Sequence, residues 1–290
     1  MTHHPRSRQP YLIAPRYLAG PDPDATTTAA HVLQAAGWYT EHTPDHTDYI
    51  DPGGLRQARH LADVADPGSL GQPLMTWEFT ASPVRGGPAA WAAWFCRDTP
   101  PEFIAAFAAA VADDTPVPAP GTGPHYLQPA TSPGHATAPL AAAGWTRDLG
   151  NGEAAWYGPH RQAAVITPRF PDASHRGAAN WLCAARRATD LTVLWLALAC
   201  PHTPTHLIAA LCRAITDPTP VPRRTPPAPP PGPPPQHPGR HRDRAPYRHR
   251  QGVNRDAAQP ARDTPGHPPD LRTPHYRQAP GGPVGPAPRC

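Results

Sequence analysis

The sequence predicts an α+β fold: two tandem copies of an antiparallel sheet of four or five strands, with a disordered C-terminal tail. Each copy is flanked by a short N-terminal helix and a Thr-Pro-capped C-terminal helix. Three observations carry that reading. The run from Trp91 to Cys96, then Thr99-Pro100, Phe103-Ile104 and Thr115-Pro116-Val117-Pro118 recurs as Trp195 to Cys200, Thr203-Pro204, Leu207-Ile208 and Thr219-Pro220-Val221-Pro222, at a constant offset of 104. An ungapped repeat of that length marks a duplicated domain. Within each copy, short runs of strand character are bracketed by two stretches of helical period. Finally, the composition breaks at Arg223: the chain before it carries 14 Arg against 18 Asp and Glu, the chain from it onward 12 Arg against 4 Asp.

The organisation expected is a disordered arm over 1–15, a first repeat domain over 16–118, a linker over 119–124, a second repeat domain over 125–223 and a disordered tail over 224–290. Each copy has about the hundred residues that a core of its own needs. The copies open with Tyr17-Leu18 and Tyr126-Leu127. A helix follows in each, starting among Thr26, Thr27 and Thr28 in the first copy and lying around Leu140 in the second. Gly37-Trp38 and Gly144-Trp145, 107 apart, end these helices, glycine taking the left-handed closing position without a Cβ clash. Hairpins follow around Pro44-Asp45 and around Gly150-Asn151-Gly152, the latter a strong turn signal. Pro52 and Pro159 close them, and three fewer residues in the following loop bring the offset to 104. Strands are then expected over 59–64 and 163–167, over 75–80 and 179–184, and at the Trp91 and Trp195 runs. The last pair is apolar on both faces of the pleat, which predicts central strands covered on both sides. Thr99-Pro100-Pro101-Glu102 has the layout of a capping box, and Phe103, Ile104, Phe107 and Val111 recur on one helical face, as do Leu207, Ile208, Leu211 and Ile215.

Taken together, Tyr-Leu, Gly-Trp, the Trp-centred strand, the Thr-Pro helix and the final Pro-Val-Pro resemble the actinobacterial (Streptomyces-type) domain-of-unknown-function family 317. The resemblance covers two tandem copies, about residues 16–118 and 125–223. It implies no catalytic residues. The absence of lysine and the abundance of Arg, Ala and Pro fit a GC-rich genome of that kind.

Beyond the second copy, Thr225 to Pro235 reads as a polyproline II spacer. The tail after it lacks the apolar residues needed to offset the entropy of ordering. Its cluster Arg240, Arg242, Arg244, Tyr247, Arg248 and Arg250 has the charge to neutralise phosphates and an aromatic ring to stack. These residues are the candidate contacts to nucleic acid or another acidic partner.

His42, His46 and Asp48 form a candidate metal set in the first copy, since closely spaced imidazoles and carboxylates can hold a divalent cation. In the second copy, 107 residues on, these positions hold Leu149, Glu153 and Ala155. His202 and His206 read as surface residues, and Cys96 and Cys200 as core. Trp94, which meets Leu198 in the sister copy, is the indole that the shared fold does not demand. No catalytic residues and no cofactor are expected.

The function expected is a non-enzymatic binding or scaffolding protein with a basic tail that engages nucleic acid or an acidic partner. The alternatives are a metal-dependent hydrolase with a site in the first repeat and a protein–protein adaptor using the sheet surface and the polyproline run. With no membrane span, no export signal and an odd cysteine count, a cytoplasmic setting is expected; oligomeric state is left open.

Overall fold

In the computed structural model, residues 11–22, 26–61, 74–113, 123–128, 133–149, 154–168 and 180–224 are described. The expected tail after residue 224, the linker over 119–122 and the Asn151-Gly152 turn lie outside them. The first half contributes β1 (Tyr11–Ile13), α1 (Thr26–Ala35), β2 (Tyr39–His42), β3 (His46–Ile50), β4 (Arg56–Leu61), β5 (Met75–Ala81), β6 (Trp91–Cys96) and α2 (Pro101–Ala112). From the second half come α3 (Pro133–Ala142), β7 (Thr146–Asp148), β8 (Ala155–Tyr157), β9 (Ala163–Ile166), β10 (Trp181–Arg186), β11 (Val193–Ala199), α4 (Thr205–Thr216) and β12 (Val221–Arg223). Short 3-10 turns at Arg16–Leu18 and His125–Leu127 open the two halves.

The α+β expectation holds, with five strands per half, but the halves do not form separate sheets. They fuse into one antiparallel sheet of ten strands, β2-β3-β4-β5-β6-β11-β10-β9-β8-β7. At the seam Ala93 faces Ala199, Trp94 faces Leu198 and Phe95 faces Ala197. Each strand thus meets its own repeat partner head to tail, and a pseudo-twofold axis passes between Trp94 and Leu198. Strand edges with unpaired amides associate readily, and here each half caps the edge of the other.

The four helices form one layer on one face, α1 against α2, α2 against α4 and α4 against α3. Beneath them Phe107 packs edge-on against Phe79, Phe95 and Trp91, and Phe103 against Trp195. Trp38, Trp77, Trp91, Trp145, Trp181 and Trp195 all lie in this shared core.

The seam is also crossed by the opening segments. Trp195 donates its indole N–H to the Tyr17 carbonyl (2.8 Å), and Trp91 to the Tyr126 carbonyl (2.7 Å). Each half therefore lays its opening turn on the central tryptophan of the other.

Several expectations are corrected. Tyr11–Ile13, assigned from sequence to a disordered arm, pairs with Val221–Arg223. Thr99 does not cap α2: Pro100 holds that position, and the Thr99 hydroxyl donates across the seam to the Leu196 carbonyl (3.2 Å). Glu102 is likewise taken from the expected box by Arg223, which holds both its carboxylate oxygens at 2.7 Å. The 107-residue offset persists through β4 and β9, since Ala58 faces Phe79 as Val165 faces Cys183. The three-residue contraction therefore falls after β4 and β9, not before them.

Candidate functional site

Side chains alternate between the faces of a strand, so the ladder assigns every residue to the helix layer or to the opposite face. One unbroken row crosses all ten strands away from the helices: Glu41, Asp48, Arg59, Glu78, Trp94, Leu198, Leu182, Ile166, Ala155 and Asp148. From Glu41 to Glu78 the row is charged; from Trp94 through Ala155 it is apolar, and Asp148 on the last strand returns a charge at the far edge. A neighbouring row adds Leu196, Ala184, Ala164 and Tyr157 to the apolar half.

The charged half is a connected ladder. Arg59 donates to both oxygens of Asp48, through Nε at 2.8 Å and Nη2 at 3.0 Å. His46 Nε2 lies 3.3 Å from Asp48 Oδ2, and Trp94 Nε1 donates to Glu78 Oε1 at 3.0 Å. The hydrogen bond to Asp48, opposed by partial burial and helped by the charges of Asp48 and Glu78, holds the Arg59 guanidinium above its ordinary value. Bidentate pairing of this kind fixes orientation as well as charge. Arg59 remains 37% exposed over a buried Asp48, so the ladder meets solvent through its arginine.

Trp94, Leu182, Leu196, Leu198 and Ile166 in the apolar half are each partly exposed. Of the central strands, expected to be covered on both sides, β11 is covered on one, while β6 is buried throughout except at Trp94. An antiparallel sheet commonly leaves one face to water, and that face is then polar; large aliphatic side chains stand on it in the second half. Here no described helix or strand lies over the second face.

The sequence-derived metal set is divided by the pleat. His46 and Asp48 share the helix-free face, whereas His42 pairs with Thr47 on the other face and places Nδ1 3.1 Å from the Thr47 hydroxyl. Asp48 is already engaged by Arg59. Among the described residues there is no group of three His, Cys, Asp or Glu side chains placed to hold a metal ion. The proposed tail contacts Arg240, Arg242, Arg244, Tyr247, Arg248 and Arg250 lie outside the described residues.

Cys96 and Cys200 are buried as expected. Cys96 Sγ lies 3.1 Å from the Leu196 amide and 3.4 Å from the Thr99 hydroxyl, and burial pushes its thiol up from the ordinary value, which disfavours the reactive thiolate. His206 is not the surface residue expected: it is partly buried against His125.

Sequence reasoning marked Trp94 and Asp48 on this face and missed Arg59, Glu78, Leu182 and Ile166. Aligning the copies at 107 through β4 sets Arg59 against Ile166, while 104 sets Glu78 against Leu182. Those charge-to-aliphatic exchanges were the available signal.

Residues 50–117 match the family described as Domain of unknown function (DUF317). The DUF317 match takes in β4, β5, β6 and α2, and so the first half's strand at the seam, but not α1 or β2. No curated protein and no solved structure matches the chain. No helix among the described residues is long and apolar enough to cross a membrane.

Proposed function

We propose that this chain is a non-enzymatic binding or scaffolding protein. Its sheet face captures a polypeptide partner, and its basic tail engages nucleic acid or another acidic partner. The second half is read as a divergent second copy of the DUF317 unit, in a cytoplasmic and actinobacterial setting that the lysine-free composition fits.

The observation that carries the reading is where the halves differ. Facing the helices, most matched positions keep apolar character, as in Trp77 and Trp181, Phe79 and Cys183, or Trp91 and Trp195, with Arg56 and Ala163 an exception. Facing away, three charges give way to apolar residues, Asp48 to Ala155, Arg59 to Ile166 and Glu78 to Leu182, and Trp94 gives way to Leu198, while Glu41 and Asp148 at the two ends of the row both stay acidic. A structural duplication alone asks nothing of the outer face. A partly exposed apolar strip beside a charged one marks an interaction surface.

The chemistry of the strip defines its occupant as a polypeptide segment with aliphatic residues at one end and basic residues at the other. The aliphatic end covers Leu182, Leu196, Leu198 and Ile166. Across the seam Glu41, Asp48 and Glu78 outnumber Arg59, so the complementary charge is positive. Trp94, anchored by Glu78 where the two characters meet, is the aromatic hot spot of this reading.

Selection of a random-peptide display library on the intact protein tests it. Enriched peptides combine an aliphatic stretch with Arg or Lys, and the double variant Leu182→Asp, Leu198→Asp weakens them at least about tenfold. Peptides without that pattern, or binding that ignores the double variant, remove the sheet from the reading. For the tail, mixed-sequence duplex DNA is titrated against the full chain and against a variant with Arg240, Arg242, Arg244, Arg248 and Arg250 all changed to Ala. If the five contact phosphates, the slope of log affinity against log salt falls in magnitude by about 4 to 5; an unchanged slope removes the tail cluster.

A further inference from the structure

The pseudo-twofold axis pairs two ends of the helix layer that are built from different residues. At one end Arg16, which opens the first 3-10 turn, places Nη1 3.0 Å from Asp217 and donates from Nε to the Thr219 carbonyl at 2.7 Å. Asp217 closes α4. At the other end the residue opening the turn is His125, and the one closing α2 is Asp113. The second residue of α2 is Glu102, and that of α4 is His206. An Arg and a Glu at the first end are thus replaced by two histidines at the second.

The two imidazoles lie face to face, with centroids 3.5 Å apart and planes within 13°. Nδ1 of His125 and Nε2 of His206 are buried without a hydrogen-bond partner. Such a stack suits two neutral rings, which gain dispersion contact and hold few waters. A proton on either ring places a cation in that partly dry contact, and a second sets like charges against one another. The charged groups acting on His206 are His125 from the 3-10 turn, Asp113 from the end of α2 and Arg213 from α4 itself. Asp113 alone favours protonation.

We propose that the His125–His206 stack is an acid-sensitive clasp. It holds the second half's opening turn across the first half's Trp91, and Arg16–Asp217 is its acid-resistant twin.

Burial, then the charge of His125, pushes His206 down from 6.5 to about 4. The folded state therefore resists a proton that the released segment accepts. The clasp contributes fully above pH 6.5, and its contribution is lost as the pH falls from there to about 4. Opening frees Tyr126 from Trp91 and leaves Tyr17 on Trp195 in place.

The chain carries its own control, because each clasp guards one indole hydrogen bond. Exchange protection of the Trp91 and Trp195 indole protons is measured by NMR on the full-length protein from pH 7.5 to 4.5. For Trp91, the opening constant rises by up to about tenfold per pH unit below 6.5, the limit for one linked proton; for Trp195 it stays flat. The double variant His125→Arg, His206→Glu installs the first end's residues, leaving Asp113 to receive the new arginine as Asp217 receives Arg16, and flattens the Trp91 response. His206→Gln, a smaller change, does the same should the double variant not fold. Equal acid responses at both indoles, a His206 ring titrating at its ordinary 6.5, or an undiminished Trp91 response in the variants would overturn the proposal.

Discussion

The two sockets that receive the opening turns solve one packing problem in different ways. In the first half, Arg56 is inserted between two rings, 4.6 Å from the Tyr126 centroid and 5.5 Å from that of Trp38. It is neutralised by Asp51, with Nε at 3.2 Å and Nη2 at 3.1 Å from Oδ2, and it donates to the Val111 carbonyl at 2.9 Å. Both partners of this ion pair have side chains only 4% exposed. The second half has Gly158 and Ala163 at the matched positions, and Tyr17 meets Trp145 directly, ring edge to ring face at 5.8 Å. A Cβ added to Gly158 would lie 3.1 Å from the Trp145 ring, so the indole has taken the space that Asp51 occupies opposite. A charged spacer and a direct aromatic contact thus seat equivalent tyrosines. The charged version costs desolvation that its hydrogen bonds must offset.

That contrast predicts a large asymmetry on mutation. Asp51→Ala strands the Arg56 charge and two backbone amides, those of Leu55 and Arg56, that the carboxylate now accepts from. It should lower the unfolding free energy by about 3–5 kcal/mol in urea titration. The double change Asp51→Gly, Arg56→Ala copies the second socket and should recover most of that loss. A double variant as unstable as the single one would show that the sockets are not interchangeable.

Leu33→Ala and Leu140→Ala form the next pair. Both leucines are fully buried, 107 residues apart, under matched helices. Each truncation should cost about 2–5 kcal/mol, and near-equal values would extend the pseudo-symmetry from backbone to energetics. Unequal values would show that α1 and α3 cover their sheet halves differently. Trp94→Leu, which installs the sister residue on the partly exposed face, should change stability by less than about 1 kcal/mol. It should nevertheless weaken peptides selected on that face. A larger destabilisation would return Trp94 to the core.

The repeat, both pairs of helices and most strand positions were legible because they depend on local period and on turn residues. The seam was half legible: strands apolar on both sides at Trp91–Cys96 and Val193–Ala199 pointed to the sheet centre, but not to each other, since nothing local encodes a pairing across a hundred residues. The position of the loop contraction was misread for a related reason. Offsets of 104 and 107 differ by an odd number, and an odd slip carries a side chain to the opposite face. At 104, Arg59 would match Ala163, which lies in the core; the mismatch in polarity was a usable warning. The charged ladder needed the pairing first, because Asp48, Arg59, Glu78 and Trp94 adjoin only across strands. Arg16, His125 and His206 gave no local sign of their contacts, which depend wholly on the crossing of the opening turns.

That crossing also governs how the chain is made. Tyr17 cannot reach its resting place until Trp195 has been synthesised, and Gly20 waits for the guanidinium of Arg223. The first half emerges from the ribosome with the edge of β6 unpaired and its amino-terminal turn unseated for roughly a further hundred residues of elongation. Contacts so distant in sequence slow folding, and a bare strand edge at the centre of a nascent sheet invites pairing with a neighbouring chain. Once both halves are out, the same strand is paired along both edges, by β5 on one side and β11 on the other.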